Sequence, residues 1–153
     1  CALPISLEKM GLGLDQLHAL NPGLILLRIS GFGQTGPYSK RPGFGTLVES
    51  MSGFAHRNGE CGGGPLLPPL ALADMISGVY GANAVSMALR ARDHTGKGQM
   101  IDLALLDAIV SVLGPEALDL QVTGTPKPRI GNQSNINIPR NVYETSDGHF
   151  LSI

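Results

Sequence analysis

An α/β fold is what this sequence predicts, and three observations carry the prediction. Two runs of strand length, Leu24-Ile-Leu-Leu-Arg-Ile-Ser30 and Gln99-Met-Ile-Asp-Leu-Ala-Leu105, are almost unbroken in apolar residues. Such runs mark strands buried on both faces of a parallel sheet. Between them, from Asp74 onward, Met75, Ile76, Val79, Tyr80, Ala82, Ala84, Val85, Ala88 and Leu89 recur at helical spacing. Strand, crossover with helix, strand is the order that builds a parallel sheet flanked by helices.

Each element has its own signal. Leu7 to Leu20 reads as an amphipathic helix (Leu7, Met10, Leu14, Leu17, Leu20), interrupted by Gly11 and Gly13 and closed by Asn21-Pro22-Gly23. After the first strand, Gly31 to Gly45 reads as a long loop at the carboxyl end of the sheet, where α/β folds bind ligands. Pro65, Pro68 and Pro69 keep the next stretch extended, and the central helix begins at Asp74. Thr95-Gly-Lys-Gly98 turns the chain into the second strand. A helix over Leu106–Leu113 stops at Gly114-Pro115, and Glu116 to Val122 forms a short continuation. From Thr123 to Arg140 the chain is rich in Pro, Gly and Asn without periodicity, as a linker is. Asn141 to Ile153 then alternates around Asp147-Gly148, a hairpin opening a second domain.

Composition narrows the function. With 153 residues, 42% hydrophobic and 15% charged, the chain can form a real core and is not disordered. The net charge is −1 and the eleven Lys and Arg are scattered, so no basic stripe suggests a nucleic-acid partner. Two cysteines, Cys1 and Cys61, are too few for a disulfide framework and fit a cytoplasmic protein. No apolar run approaches the roughly 18 residues that a membrane span needs. Because the chain starts without Met and stops within a strand-like run, Phe150-Leu-Ser-Ile153, it reads as a fragment of a longer protein.

Few motifs carry chemistry. Gly31-Phe-Gly-Gln-Thr-Gly36 matches the dinucleotide fingerprint, but that site needs a helix at its third glycine, and Pro37-Tyr-Ser-Lys-Arg-Pro-Gly43 does not propagate one. Lys40 and Arg41 beside Tyr38 and Phe44 give the same loop two cations and two rings, suited to a phosphate and an adenine face. A solvated surface loop is the plainer alternative. His18, His56, His94 and His149 lack metal-ligand spacing, so no metal site is expected. Cys61 has no evident base partner and reads as an ordinary loop thiol. Asp74 has two readings: an N-cap whose oxygen accepts an orphan backbone N–H, or a reactive carboxylate.

Five segments, in order, resemble the signatures of the family III CoA-transferases. They are Asn21-Pro-Gly-Leu-Ile-Leu-Leu-Arg-Ile-Ser-Gly-Phe-Gly-Gln-Thr-Gly-Pro-Tyr38, Arg41-Pro-Gly-Phe44, Leu72-Ala-Asp-Met-Ile-Ser-Gly78, Thr95-Gly-Lys-Gly-Gln-Met-Ile-Asp102 and Pro139-Arg-Asn-Val-Tyr143. By this resemblance Asp74 is the catalytic carboxylate and Arg41 falls where the transferases place a cation near coenzyme A; Tyr38 and Phe44, the rings of the same loop, are expected to bind CoA with it. The activity implied is transfer of CoA from an acyl-CoA thioester to a carboxylic acid, through an aspartyl mixed anhydride and an aspartyl-CoA thioester. CoA is then a substrate carrier, and no tightly bound cofactor is expected. Leu70, Leu72, Met75 and Gly78 would let a thioester approach and keep water from the anhydride.

The resemblance also covers acyl-CoA racemases, which carry a His where this chain has Phe44. Phe44 cannot exchange a proton, so transferase is preferred over racemase. A non-catalytic CoA-binding module, in which Asp74 only caps its helix, is the third reading. The Gly run of formyl-CoA transferase is absent before Asn141, which weighs against formate or oxalate as substrate. The implied architecture is part of a Rossmann-like large domain over residues 1–122, a linker over 123–140 and the start of a small domain over 141–153, in a homodimer of interlocked chains.

Overall fold

The computed structural model describes residues 6–153; Cys1 lies outside them. Strand β1 (Leu26–Ser30) pairs in parallel with β2 (Met100–Ala104), from Leu26 opposite Met100 to Ser30 opposite Ala104. This is the mixed α/β arrangement the sequence predicts, with helices against the two-strand sheet. One expectation fails in degree. β1 is not buried on both faces, since Ile29 is 45% exposed; among the described residues β2 is its single partner strand, and the covering helix shields only part of its surface.

The expected first helix divides into α1 (Ser6–Lys9) and α2 (Leu14–Leu20). Gly11 has a φ of +74°, which ends the first helix, and the Gln16 side chain accepts the Gly13 N–H at 2.9 Å to start the second. Arg28 of β1 reaches Glu8 of α1 through Nη1–Oε1 at 2.5 Å and Nη2–Oε2 at 3.2 Å. That guanidinium holds the Glu8 carboxyl below the usual carboxylate range.

Beyond β1 the loop closes at a neck of two glycines. A Cβ on Gly31 would stand 2.5 Å from the Gly43 Cα, so the backbones touch where no side chain fits. The chain therefore returns to the sheet edge in time to form α3 (Gly45–Met51), followed by α4 (Phe54–Arg57). Neither helix is in the sequence reading.

Helix α5 (Leu72–Thr95) crosses the sheet. Its buried residues, Ala73, Ser77, Gly81 and Ala88, are all small, which lets the backbone approach closely. Gly81 is where contact is tightest: a Cβ there would lie 2.9 Å from Leu27 Cδ2 and 3.7 Å from both Ile29 Cδ1 and Leu103 Cδ2. The helix ends at Gly96, whose φ is +69° and whose N–H donates to the Arg92 carbonyl at 2.7 Å.

After β2 come α6 (Leu105–Val112) and α7 (Glu116–Thr123). Val48 of α3, Ala73 of α5 and Leu105 and Ile109 of α6 form the buried core, with Phe32, Phe54, Leu72, Ile76 and Leu106 packed around it. Residues 125–141 contain no helix or strand. Strand β3 (Val142–Glu144) then pairs antiparallel with β4 (Phe150–Ser152) around Asp147 and Gly148. No helix among the described residues is long and apolar enough to cross a membrane.

Candidate active site

Asp74 is not the N-cap that its sequence position suggests. Helix α5 starts one residue after Ala71, which holds the cap position without a side-chain bond, and Asp74 is the third helical residue. The reason lies in the Pro-Leu run: Leu70 accepts the Leu72 N–H through its carbonyl at 2.9 Å, a tight turn that brings the chain into helix two residues early. An acidic side chain in a first turn is favoured by the helix dipole by about 0.3–1 kcal/mol. Among the described residues the Asp74 carboxylate has no hydrogen-bond or ion-pair partner, and the residue is exposed.

What holds that carboxylate is shape. A Cβ on Gly45 would lie 2.2 Å from Asp74 Oδ2 and 3.3 Å from its Cγ, so the carboxylate rests against bare backbone at the start of α3. Around it is a cleft of about 390 Å³ lined by Phe44, Gly45, Thr46, Glu49, Leu67, Pro68, Leu70, Ala71 and Asp74. The Pro-Leu segment forms one wall and the start of α3 the other. Of the four apolar neighbours expected for Asp74, only Leu70 lines this cleft. Leu72 packs on the core and Met75 is 61% exposed, because about 100° of rotation per helical residue turns both away from the face that Asp74 occupies.

The loop residues divide. Phe44 borders the cleft beside Asp74 and is half exposed. Tyr38 and Arg41 belong to the same loop but not to the cleft wall. They pack on one another, with Arg41 Cζ 4.4 Å from the Tyr38 ring centroid, and Phe32 completes the stack at 5.5 Å between rings. At the root of the loop, the Asp102 carboxylate accepts the Gln34 N–H at 2.8 Å and ties the glycine segment to β2.

One buried carboxylate beside the cleft is not predicted from the sequence. Glu49 is 3% exposed, and its Oε1 accepts the backbone N–H of Ala73 at 3.0 Å. Carboxylates are almost never so buried unless paired. Local sequence carries no signal for it: on a helix with Phe44, Leu47, Val48 and Met51 as its apolar stripe, Glu49 falls on the other side, and its burial arises only where α3 meets α5.

A carboxylate aimed into an apolar cleft at the carboxyl edge of an α/β sheet is an arrangement for nucleophilic or acid–base chemistry on a carbonyl compound. The family model for CoA-transferase family III matches residues 2–153, and the chain belongs to that family. Among its relatives, the succinyl-CoA–D-citramalate CoA-transferase of Chloroflexus aurantiacus is 37% identical over 150 residues, covering 98% of this chain and 37% of the relative. The succinate–glutarate CoA-transferase of Agrobacterium fabrum is 40% identical over 145 residues, covering 95% and 36%. A crystal structure of a CAIB/BAIF family protein from Brucella suis superposes with a TM-score of 0.86 at 37% identity, over 97% of this chain and 39% of that one. The chain thus spans little more than a third of the length of these relatives.

Proposed function

We propose that the protein to which this chain belongs is an acyl-CoA:carboxylate CoA-transferase with Asp74 as nucleophile. The observation that carries this reading is the Asp74 carboxylate lying against Gly45, without a polar partner among the described residues, in an apolar cleft. A structural carboxylate would be expected to accept from its own helix; this one leaves both oxygens for a substrate.

That geometry supports a transfer in which the carboxylate carries first the acyl group and then CoA. An Asp74 oxygen attacks the thioester carbonyl; the C–S bond breaks, leaving a mixed anhydride and CoA thiolate. The thiolate attacks the aspartyl carbonyl and expels the donor carboxylate, giving an aspartyl-CoA thioester. The acceptor carboxylate attacks that thioester, forming a second anhydride and thiolate again. Attack of the thiolate on the acceptor's acyl carbon releases the new acyl-CoA and restores the carboxylate. Each intermediate hydrolyses if water reaches it. Leu67, Pro68 and Leu70 give the cleft an apolar wall, and in the full-length protein further chain, or the second copy of an interlocked homodimer, completes its closure. Exposed Met75, Val79 and Met87 on α5 support such coverage. Phe44, Tyr38 and Arg41 are assigned to CoA, with the stacked Tyr38 and Arg41 offering a ring and a charge to its nucleotide end.

Succinyl-CoA is the proposed donor, since relatives named for succinyl-CoA chemistry match nearly the whole chain, with a dicarboxylic acid as acceptor. The domain division at 122 and 140 and a cytoplasmic location belong to the same proposal. Full-length protein should move CoA from succinyl-CoA to glutarate, L-malate or D-citramalate. Asp74→Asn should lower turnover by about 10⁴-fold or more while still binding CoA. Unchanged turnover in that variant would remove Asp74 from the chemistry; CoA binding without any transfer in the wild type would favour a non-catalytic module.

A further inference from the structure

We infer that Glu49 is a positioning residue: by accepting the Ala73 N–H it fixes the first turn of α5 and so holds the Asp74 carboxylate, one residue further on, over Gly45 at the cleft. This rests on the nucleophilic reading of Asp74.

The first turn of any helix leaves backbone N–H groups without intrahelical acceptors. Here the Leu70 carbonyl takes the Leu72 N–H, but the local sequence offers no side-chain acceptor for the Ala73 N–H: Ala71 holds the cap position and no side-chain cap bond is formed. The acceptor comes instead from 24 residues earlier in the chain, on a different helix. Ala73 is fully buried and Glu49 nearly so, which shields the bond from competing water.

Gly45 and Glu49 are four residues apart on α3 and therefore share one face of it. That face makes two contacts with the start of α5. Glu49 grips the backbone at Ala73, and Gly45 presents bare Cα to the carboxylate of Asp74. Backbone and nucleophile are thus referenced to one rigid element. Loosening the grip lets the first turn fray, and misplacement of a reacting group by about 1 Å can cost about 10²-fold in rate. The loss falls on turnover, because the residues assigned to CoA are on the loop before α3 and not on the turn that Glu49 holds.

Two conservative variants of the full-length protein separate reach from charge. Glu49→Gln keeps an oxygen at the same reach and removes the charge; Glu49→Asp keeps the charge and withdraws it by one methylene. With succinyl-CoA and glutarate, E49Q should keep kcat within about threefold, while E49D should lose about 10–100-fold in kcat with the KM for succinyl-CoA unchanged. A merely structural role would lower thermal stability and leave kcat per folded molecule intact. Wild-type turnover in E49D, an E49Q defect as large as that of E49D, or a change confined to KM would each overturn the assignment. Amide exchange provides a readout that needs no shortened side chain: Ala73 should be protected in wild type and in E49Q, and rapid exchange in wild type would overturn it too. Asp74→Asn, assayed in parallel, distinguishes the failures. An inactive D74N beside an active E49D removes Glu49 alone, whereas an active D74N removes the nucleophilic reading and the positioning role with it.

Discussion

At the scale of single residues, Gly45 is the position where a small change has the sharpest expected effect on chemistry. Its hydrogen occupies the space that lets Asp74 Oδ2 approach, and a methyl group there would stand 2.2 Å from that oxygen. Ala is the better helix former, so Gly45→Ala should not destabilise the protein through its helix. It should instead lower kcat by about 10²-fold by displacing the carboxylate, measured with succinyl-CoA as donor beside thermal unfolding of the same variant. Equal turnover in wild type and G45A would show that the close approach has no catalytic meaning. Asp74 itself was legible in the sequence as a choice between cap and nucleophile, and local sequence could not make that choice. Two observations favour the proposed nucleophile: the Leu70 turn starts α5 early, so that Asp74 is not its cap, and the carboxylate has no polar partner among the described residues. Glu49 was not read, because its acceptor role is defined only once α3 and α5 meet.

At the scale of elements, the packing of α5 on the sheet and of α3 and α6 around it sets what the fold tolerates. Ile109 of α6 is fully buried in the core beneath Ala73. Ile109→Ala should cost about 2–5 kcal/mol, read from urea denaturation of the full-length protein; a loss below 1 kcal/mol would place the core elsewhere. The Glu8–Arg28 pair joins α1 to β1 and gives a pH signature. Because the Glu8 pKa is lowered in the folded state, its contribution is present above the ordinary Glu value of about 4.3 and is lost as pH falls through the lowered pKa. Glu8→Gln should therefore be less stable than wild type at neutral pH, with the difference closing in acid; a gap that widens as pH falls would contradict the pairing. Both strands, α5, α6 and the hairpin were legible because their periodicity or turn chemistry is local. The short helices α3 and α4 lie beyond the loop expected over Gly31 to Gly45, in a stretch where the sequence marks no element. The loop itself ends where α3 begins, at Gly45, drawn in by the backbone contact of Gly31 with Gly43.

At the scale of the whole molecule, this chain places the Asp74 carboxylate in an open cleft, whose closure by further chain is part of the proposed function. The relatives share the matched segment from end to end, yet it amounts to little more than a third of their length. The exposed apolar side chains on α5 and the exposed Asp74 are consistent with that proposal. Central to the account is a covalent bond from residue 74 to an acyl carbon, and mass spectrometry tests it most directly. Full-length protein incubated with succinyl-CoA, quenched with hydroxylamine and digested should yield a hydroxamate at Asp74, absent when CoA replaces succinyl-CoA. An unmodified Asp74 peptide, from protein that still transfers CoA, would contradict the account.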